Sequence, residues 1–154
     1  MLQTLEPIIV DHPFFHGLDE RHISTIVGCA KNVRFEEGQV IFREGDQADQ
    51  FYFIREGRVA IELMIPTRGF TTVQTVSEGD VLGWSWLLPP YRWHFGARTL
   101  LPTRALAFAG RCLRAKCEED HDLGYEILKR FTHVVSERLD ATRLQLMDLY
   151  GANA

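Results

Sequence analysis

The sequence has few cysteines, no excess of basic charge and no long hydrophobic run. Its three cysteines, Cys29, Cys112 and Cys117, lack the spacing of metal ligands, and small thiols in or beside helices usually pack as hydrophobic groups. We therefore expect all three to be reduced and structural. No stretch approaches the roughly eighteen apolar residues of a membrane-spanning helix, and the N-terminus lacks the features of a signal peptide. These absences predict a cytoplasmic protein with no membrane partner.

The signatures of common catalytic, metal and nucleic-acid sites are also missing. None of the six histidines forms a His-x-His pair followed by Glu, and there is neither a Gly-x-Ser-x-Gly elbow nor a Gly-x-x-x-x-Gly-Lys loop. We therefore predict no catalytic residue, no metal site and no enzymatic activity. A formal net charge of -4 with scattered Lys and Arg argues against a surface for duplex DNA, which normally carries a basic cluster.

What the sequence does contain is a regular alternation of short β-type runs and turns. From about residue 33 to residue 109, β-branched or aromatic runs are separated by Gly-containing turns such as those at Gly45 and Gly57. Because no helical period lies between the runs, this pattern of short strands and turns predicts a mainly β fold, an antiparallel jelly roll with flanking helices. A chain of 154 residues fits one domain, 1–154, with a helical lead-in (1–31), the jelly roll (32–109) and C-terminal helices (110–151).

The C-terminal helices are predicted from the period of their apolar residues. A short helix is expected over residues 111–119 and a long one over residues 122–150, which at 1.5 Å per residue would be about 43 Å long. Such a helix is longer than a small β-roll can cover, so we expect its stripe to pair with a second subunit in a homodimer; the alternative is packing on its own roll. The predicted dimer residues are Ile127, Phe131, Val134, Arg138, Thr142, Leu146 and Leu149.

Residues 41–59, together with residues 14–18 upstream and 78–83 downstream, resemble the cyclic-nucleotide-binding jelly roll of the catabolite activator and fumarate-nitrate regulator superfamily. In that family the long helix is the dimer helix, and transcription factors carry a helix-turn-helix after it. Only three residues follow Gly151, so the resemblance implies a stand-alone regulatory module that does not bind DNA directly.

The resemblance also locates a ligand site, and this chain departs from it there. In the family, amides at a short helix and an Arg hold the cyclic phosphate, and a Glu takes the ribose hydroxyl. Here Gly83 is retained and Trp84 stands at the Glu position. Trp93 stands at the Arg position if the pattern is counted back from residues 100–108, and His94 stands there if it is counted forward from Gly83. Losing both contacts costs about two to four decades of affinity, so cyclic AMP or cyclic GMP should bind weakly.

Aromatic residues replace the charged ones, and three interpretations remain open. The first is a non-catalytic sensor that signals through the dimer helix, in response to a small molecule or to a regulated protein partner. The second is a structural or protein-interaction module whose pocket is filled by indoles. The third is a sensor of haem or another apolar ligand, with His94 as a haem ligand. The candidate ligand-binding residues are Gly83, Trp84, Ser85, Trp86, Arg92, Trp93, His94, Phe95 and, by its position on the long helix, Thr142.

Overall fold

The structure, a computed structural model, describes residues 6–151. A helical lead-in comes first, with α1 (Glu6–Val10), a 3-10 turn (Pro13–Phe15) and α2 (Glu20–Val27); residues 1–5 of the predicted lead-in lie outside the described residues. Two helices close the chain, α3 (Gly110–Glu119) and α4 (His121–Gly151). The strands between them are β1 (Ala30–Phe35), β2 (Val40–Phe42), β3 (Gln50–Glu56), β4 (Arg58–Ile65), β5 (Gly69–Ser77), β6 (Val81–Leu82), β7 (Gly96–Thr99) and β8 (Thr103–Ala109).

The eight strands form two four-stranded antiparallel sheets, ordered β1-β8-β3-β6 and β2-β7-β4-β5. The predicted jelly-roll fold with flanking helices is confirmed. Gly57, in the turn between β3 and β4, shows why glycine is needed there. It has a φ of +118°, and a Cβ at this position would lie 2.8 Å from the Pro102 carbonyl oxygen, a distance no larger side chain could accept.

The core lies between the two sheets and is closed by the first half of α4. Phe51 and Phe108 stack inside it with ring centroids 4.6 Å apart. Leu123, Ile127 and Phe131 of α4 are buried against the roll. No helix of residues 6–151 has the length and apolar character needed to cross a membrane.

The stripe predicted on α4 is covered in the first half of the helix and exposed farther along. Ile127 and Phe131, predicted as dimer residues, belong to the core of their own subunit, so they have no surface left for a second one. Val134 packs partly against the same core. The alternative interpretation, packing on the chain's own roll, therefore holds for the first half of α4. Leu146 and Leu149, farther along, are exposed.

The prediction of three reduced cysteines is wrong for two of them. Cys29 and Cys112 form a disulfide across a sequence separation of 83, while Cys117 stays free. Pairing of β1 with β8 brings the two residues together, because the Ala109 amide donates to the Cys29 carbonyl at 2.8 Å and α3 begins immediately afterwards. Burial is the main reason that the pKa of the Cys117 thiol is raised to about 11, which keeps this thiol protonated and unreactive near neutral pH.

Candidate functional site

The predicted ligand segment, residues 83–95, is named here the cassette. It connects β6 to β7 and begins at Gly83, which has a φ of +96°. Its return half is held by the turn at residues 45–48, because the Trp93 amide donates to the Asp46 carbonyl at 2.9 Å and the Gly45 amide donates to the Trp93 carbonyl at 2.8 Å. The backbone of the return half is thus held against this turn.

Side chains of the return half alternate between the interior and the solvent. Trp93 and Phe95 are buried, whereas Arg92 and His94 are exposed, as extended backbone requires. The Arg92 guanidinium donates to the Gly45 carbonyl at 3.0 Å. Of the two residues that could stand at the family's Arg position, Trp93 therefore faces inward and His94 faces outward.

The Trp93 indole occupies the space in front of Gly83. A Cβ at Gly83 would overlap the six-membered ring of Trp93, so the indole rests directly on the glycine backbone. Phe42 stacks on the indole at a centroid distance of 3.7 Å and an angle of 8°. Trp93 is 4% exposed. Because a backbone amide can bind an anion only if the anion can approach it, the indole closes this side of Gly83.

The first half of the cassette contributes to the core. Trp86 is fully buried between Phe51 and Phe131, with ring centroids 4.7 Å and 5.3 Å away. Trp84 is half-buried and packs near Phe95 at 5.8 Å. Since Phe131 lies on α4, Trp86 ties the cassette to the long helix.

A further residue, which the sequence did not suggest, joins the cassette to α3. The Arg114 guanidinium donates to the Trp86 carbonyl and lies 4.1 Å from the ring centroid of Tyr91, a cation–π arrangement. An arginine in the first turns of a helix gives no sequence signal of such a role.

Thr142, the predicted residue of the long helix, is engaged within its own chain. The Gln74 amide nitrogen donates to Thr142 Oγ1 at 3.1 Å and to the Arg138 carbonyl at 3.2 Å. The Arg138 guanidinium donates to the Val81 carbonyl at 2.7 Å. Burial lowers the pKa of Arg138, but an arginine remains charged at neutral pH. These contacts attach the second half of α4 to β5 and β6. The contribution of Gln74 could not be predicted from any pattern in the sequence.

The structure brings together Gly83, Trp93 and Phe95, and it separates them from Arg92 and His94. The haem interpretation does not fit this arrangement, because His94 faces away from the buried aromatic side chains and an axial ligand must face the macrocycle. Within residues 6–151, no group of three or more His, Cys, Asp or Glu side chains is placed to hold a metal ion.

Comparison with known proteins gives a consistent result. The family described as cyclic nucleotide-binding domain matches residues 32–120. A putative cyclic nucleotide-binding protein from Geobacter metallireducens superimposes with a TM-score of 0.79 and 29% identity, covering 90% of this chain and 99% of that one. A cyclic nucleotide-binding domain from Methylobacillus flagellatus has the same fold, with a TM-score of 0.80 and 17% identity over 96% of this chain and 86% of its own.

Among curated proteins, the CRP-like cAMP-activated global transcriptional regulator of Mycobacterium tuberculosis is 23% identical over 145 residues. The match covers 94% of this chain but only 63% of the regulator, so the chain spans less than two thirds of that relative's length. Cyclic nucleotide-gated ion channel 18 of Arabidopsis thaliana is 30% identical over 138 residues, 86% of this chain and 18% of the channel.

Proposed function

Since the chain belongs to the cyclic nucleotide-binding domain family, and since Trp93 closes the inner side of Gly83, we propose that it is a non-catalytic regulatory module that works without a cyclic nucleotide. The observation that carries this proposal is the Trp93 indole, stacked on Phe42 and resting on Gly83. Among the interpretations of the sequence, it favours the module with a filled pocket.

The free energies involved support this choice. A ligand using the inner side of Gly83 would first have to displace the indole, and emptying a buried tryptophan site costs about 3 to 5 kcal/mol. That cost corresponds to about two to four decades of affinity. It adds to the contacts already lost through Trp84 and Trp93, which replace the charged residues of the family pattern. Recognition of cyclic AMP or cyclic GMP at ordinary cellular levels is therefore not expected.

We predict that isothermal titration calorimetry with cyclic AMP and with cyclic GMP will give no binding heat up to millimolar nucleotide. Tryptophan fluorescence should also stay unchanged, because a nucleotide at Gly83 would alter the surroundings of Trp84 and Trp93. The fluorescence spectrum of the buried indoles serves as the control that the protein is folded. A saturable heat at micromolar nucleotide would disprove the proposal.

The exposed face of α4 is the proposed dimer surface. Leu128, Val135, Leu139 and Leu146 are between 38% and 50% exposed, and their spacings of seven, four and seven residues fit one side of a heptad pattern. A parallel pairing of two α4 helices through this face would remove four large apolar side chains from water. Thr142 lies within the same face, seven residues after Val135, and its hydrogen bond with Gln74 of β5 means that the roll borders the face there.

We expect Leu139→Asp to convert a dimer into a folded monomer, because a carboxylate buried between two helices loses its hydration without gaining a partner. Sedimentation velocity or light scattering measures the change in mass. Leu144→Asp is the matched control: Leu144 is also exposed but lies about 140° around the helix from Leu139. A monomeric wild-type protein, or a Leu139→Asp variant that remains dimeric, would contradict the proposed surface.

Signalling in this module would pass from the cassette to the long helix. Trp86 packs against Phe131 of α4, and Arg114 of α3 holds both the Trp86 carbonyl and the Tyr91 ring. A protein partner that binds and shifts the cassette would therefore shift the equilibrium between alternative positions of α4. Our proposal is that the module passes its signal to a partner protein in this way.

A second candidate, a sensor of another small molecule at the cassette, is favoured by one observation. Ser85 Oγ and Trp86 Nε1 are buried and have no hydrogen-bond partner among the described residues. Leaving such atoms unpaired costs about 1 to 3 kcal/mol each, so a ligand that paired them would gain affinity. Calorimetry with nucleotides does not address this candidate, but a ligand-dependent change in Trp86 fluorescence would support it.

A further inference from the structure

The imidazole ring of His12 joins the helical lead-in to the turn between β5 and β6, residues 78–80. Its Nε2 lies 2.9 Å from the Gly79 carbonyl oxygen, and its Nδ1 accepts a hydrogen bond from the Phe14 amide at 3.0 Å. The second contact caps the 3-10 turn, because His12 stands at its N-cap position. These two hydrogen bonds are called the His12 latch below.

The two partners of the latch determine the protonation state of the ring. A backbone amide can only donate and a backbone carbonyl can only accept, so Nδ1 must lack a proton and Nε2 must carry one. A neutral imidazole with its proton on Nε2 satisfies both contacts. In an imidazolium both nitrogens are donors, so the Nδ1–H of a protonated His12 would face the Phe14 N–H and that side of the latch would be lost.

The surroundings of the ring are held in place by β3. The Gly79 amide donates to the Ile54 carbonyl at 2.9 Å, and the Ile54 amide donates to the Asp80 carbonyl at 3.0 Å. The His12 ring also packs edge-on with Phe53 of β3, with ring centroids 3.7 Å apart and an angle of 89°. A protonated ring must therefore leave this position to find an acceptor for its Nδ1–H.

The charged groups near the latch come from the turn, the lead-in and α4. Asp80 of the turn favours a protonated ring, and Arg138 of α4 lies within the field of the same carboxylate and offsets part of it. The side chains of Asp11 and Glu78 flank the contact in sequence, are exposed and are screened by water. The 3-10 turn and β3 face His12 with phenylalanine rings, which do not titrate.

Burial outweighs these attractions. Loss of hydration lowers the pKa of His12 from its usual value of 6.5, although the Gly79 carbonyl and the Asp80 carboxylate act to raise it. The folded protein therefore binds a proton at His12 less readily than the unfolded chain does. The latch stabilises the folded state fully above about pH 6.5, and this stabilisation is lost as the pH falls through the pKa of the folded state.

We propose that the His12 latch is a proton-operated switch, in which neutral His12 holds residues 6–15 on the β5–β6 turn and protonated His12 releases them. The release ends before α2, because the Arg130 guanidinium of α4 donates to the His16 carbonyl and an arginine keeps its charge throughout this pH range.

Release of the lead-in would reach the long helix. Phe14 lies 5.1 Å from Phe131 of α4, measured between ring centroids, and Phe131 is the residue against which Trp86 of the cassette packs. Moving Phe14 away therefore uncovers the ring that ties the cassette to α4. This inference goes beyond the proposed function, since a proton acts on α4 here without a partner protein.

Nitrogen-15 NMR of the imidazole rings tests the latch directly in the wild-type protein. At about pH 7.5, long-range proton–nitrogen spectra should show His12 as the tautomer protonated on Nε2. Titration should give a pKa below 6.5. A ring protonated on Nδ1, or a pKa above 6.5, would overturn the inference.

Hydrogen–deuterium exchange measures the release. From about pH 7.5 to about pH 5.5, after correction for intrinsic rates, protection of residues 6–15 should fall by about threefold or more, whereas α2 should keep its protection. In His12→Asn the amide oxygen can still cap the 3-10 turn but does not titrate, so its protection should not change with pH. His16→Asn, at an exposed position of the same lead-in, should behave like the wild type.

An equal loss of protection in the wild type and in His12→Asn would contradict the switch, and so would a parallel loss in α2, which would mean that the whole fold is weakened. If His12→Asn does not fold, the tautomer and the pKa measured in the wild type still decide. Neither measurement involves a nucleotide or the dimer surface, so this inference and the proposed function fail separately.

Discussion

Replacing Trp93 by alanine will lower the free energy of unfolding by about 3 to 5 kcal/mol. The indole is almost fully buried, stacks on Phe42 at 3.7 Å and rests on Gly83, so its removal leaves a cavity that the rigid turn at residues 45–48 cannot close. Chemical denaturation followed by circular dichroism measures the loss. Because an apolar cavity binds small apolar molecules, millimolar indole should raise the melting temperature of Trp93→Ala but not that of the wild type.

Two variants control for this result. Trp84→Ala removes the same side chain from a half-buried place in the same cassette, so it should cost clearly less. His94→Ala, at the neighbouring exposed position, should be nearly neutral, as surface substitutions usually are. A Trp93→Ala protein with the melting temperature of the wild type would mean that the indole does not fill the site, and the proposal of a closed pocket would fail with it.

Reduction of the Cys29–Cys112 disulfide will destabilise the protein by about 3 to 4.5 kcal/mol. The estimate follows from the long loop that the bond closes, with a sequence separation of 83, because cross-linking distant residues removes conformational entropy from the unfolded chain. Unfolding in denaturant with and without a reducing agent measures the difference. Mass spectrometry after alkylation should find one modified cysteine in the non-reduced, denatured protein and three after reduction.

The Cys117→Ser variant is the matched control, since Cys117 is free and its replacement should leave the effect of reduction intact. In the Cys29→Ser variant, by contrast, a reducing agent should no longer change stability. Three alkylated cysteines in the freshly purified, non-reduced protein would show that the bond does not form, and the original expectation of reduced thiols would be restored.

Local patterns explain why so much of the fold could be predicted. Turns at Gly45 and Gly57 and the period of the last helix depend on residues close in sequence. The β region as a whole, α3 and α4 therefore begin and end within about three residues of their expected bounds. The resemblance to the family also located Gly83 and the positions where an arginine and a glutamate were expected, because the family pattern assigns these residues positions along the chain. The sequence could not decide whether Trp93 or His94 faces the site, because the two residues differ only in the direction in which their side chains point.

Contacts between distant residues could not be predicted in the same way. Gln74 and Thr142 are 68 residues apart and Arg98 and Glu62 are 36 apart, and a hydrogen bond between two surface-type side chains leaves no periodic signal. The disulfide is a similar case, because three cysteines in a sequence do not reveal which two become neighbours. The two halves of the α4 stripe were not distinguished for a related reason: helical period shows which residues lie together, but not whether a roll or a second subunit covers them.

By itself, the sequence determined the class of fold and the order of its elements, because these follow from residue type and spacing. Tertiary structure alone decided that an indole lies against Gly83, that Cys29 meets Cys112, and that Arg98 of β7 pairs with Glu62 of β4. Each of these depends on strands that are remote in sequence and adjacent in space, where packing selects which side chains meet.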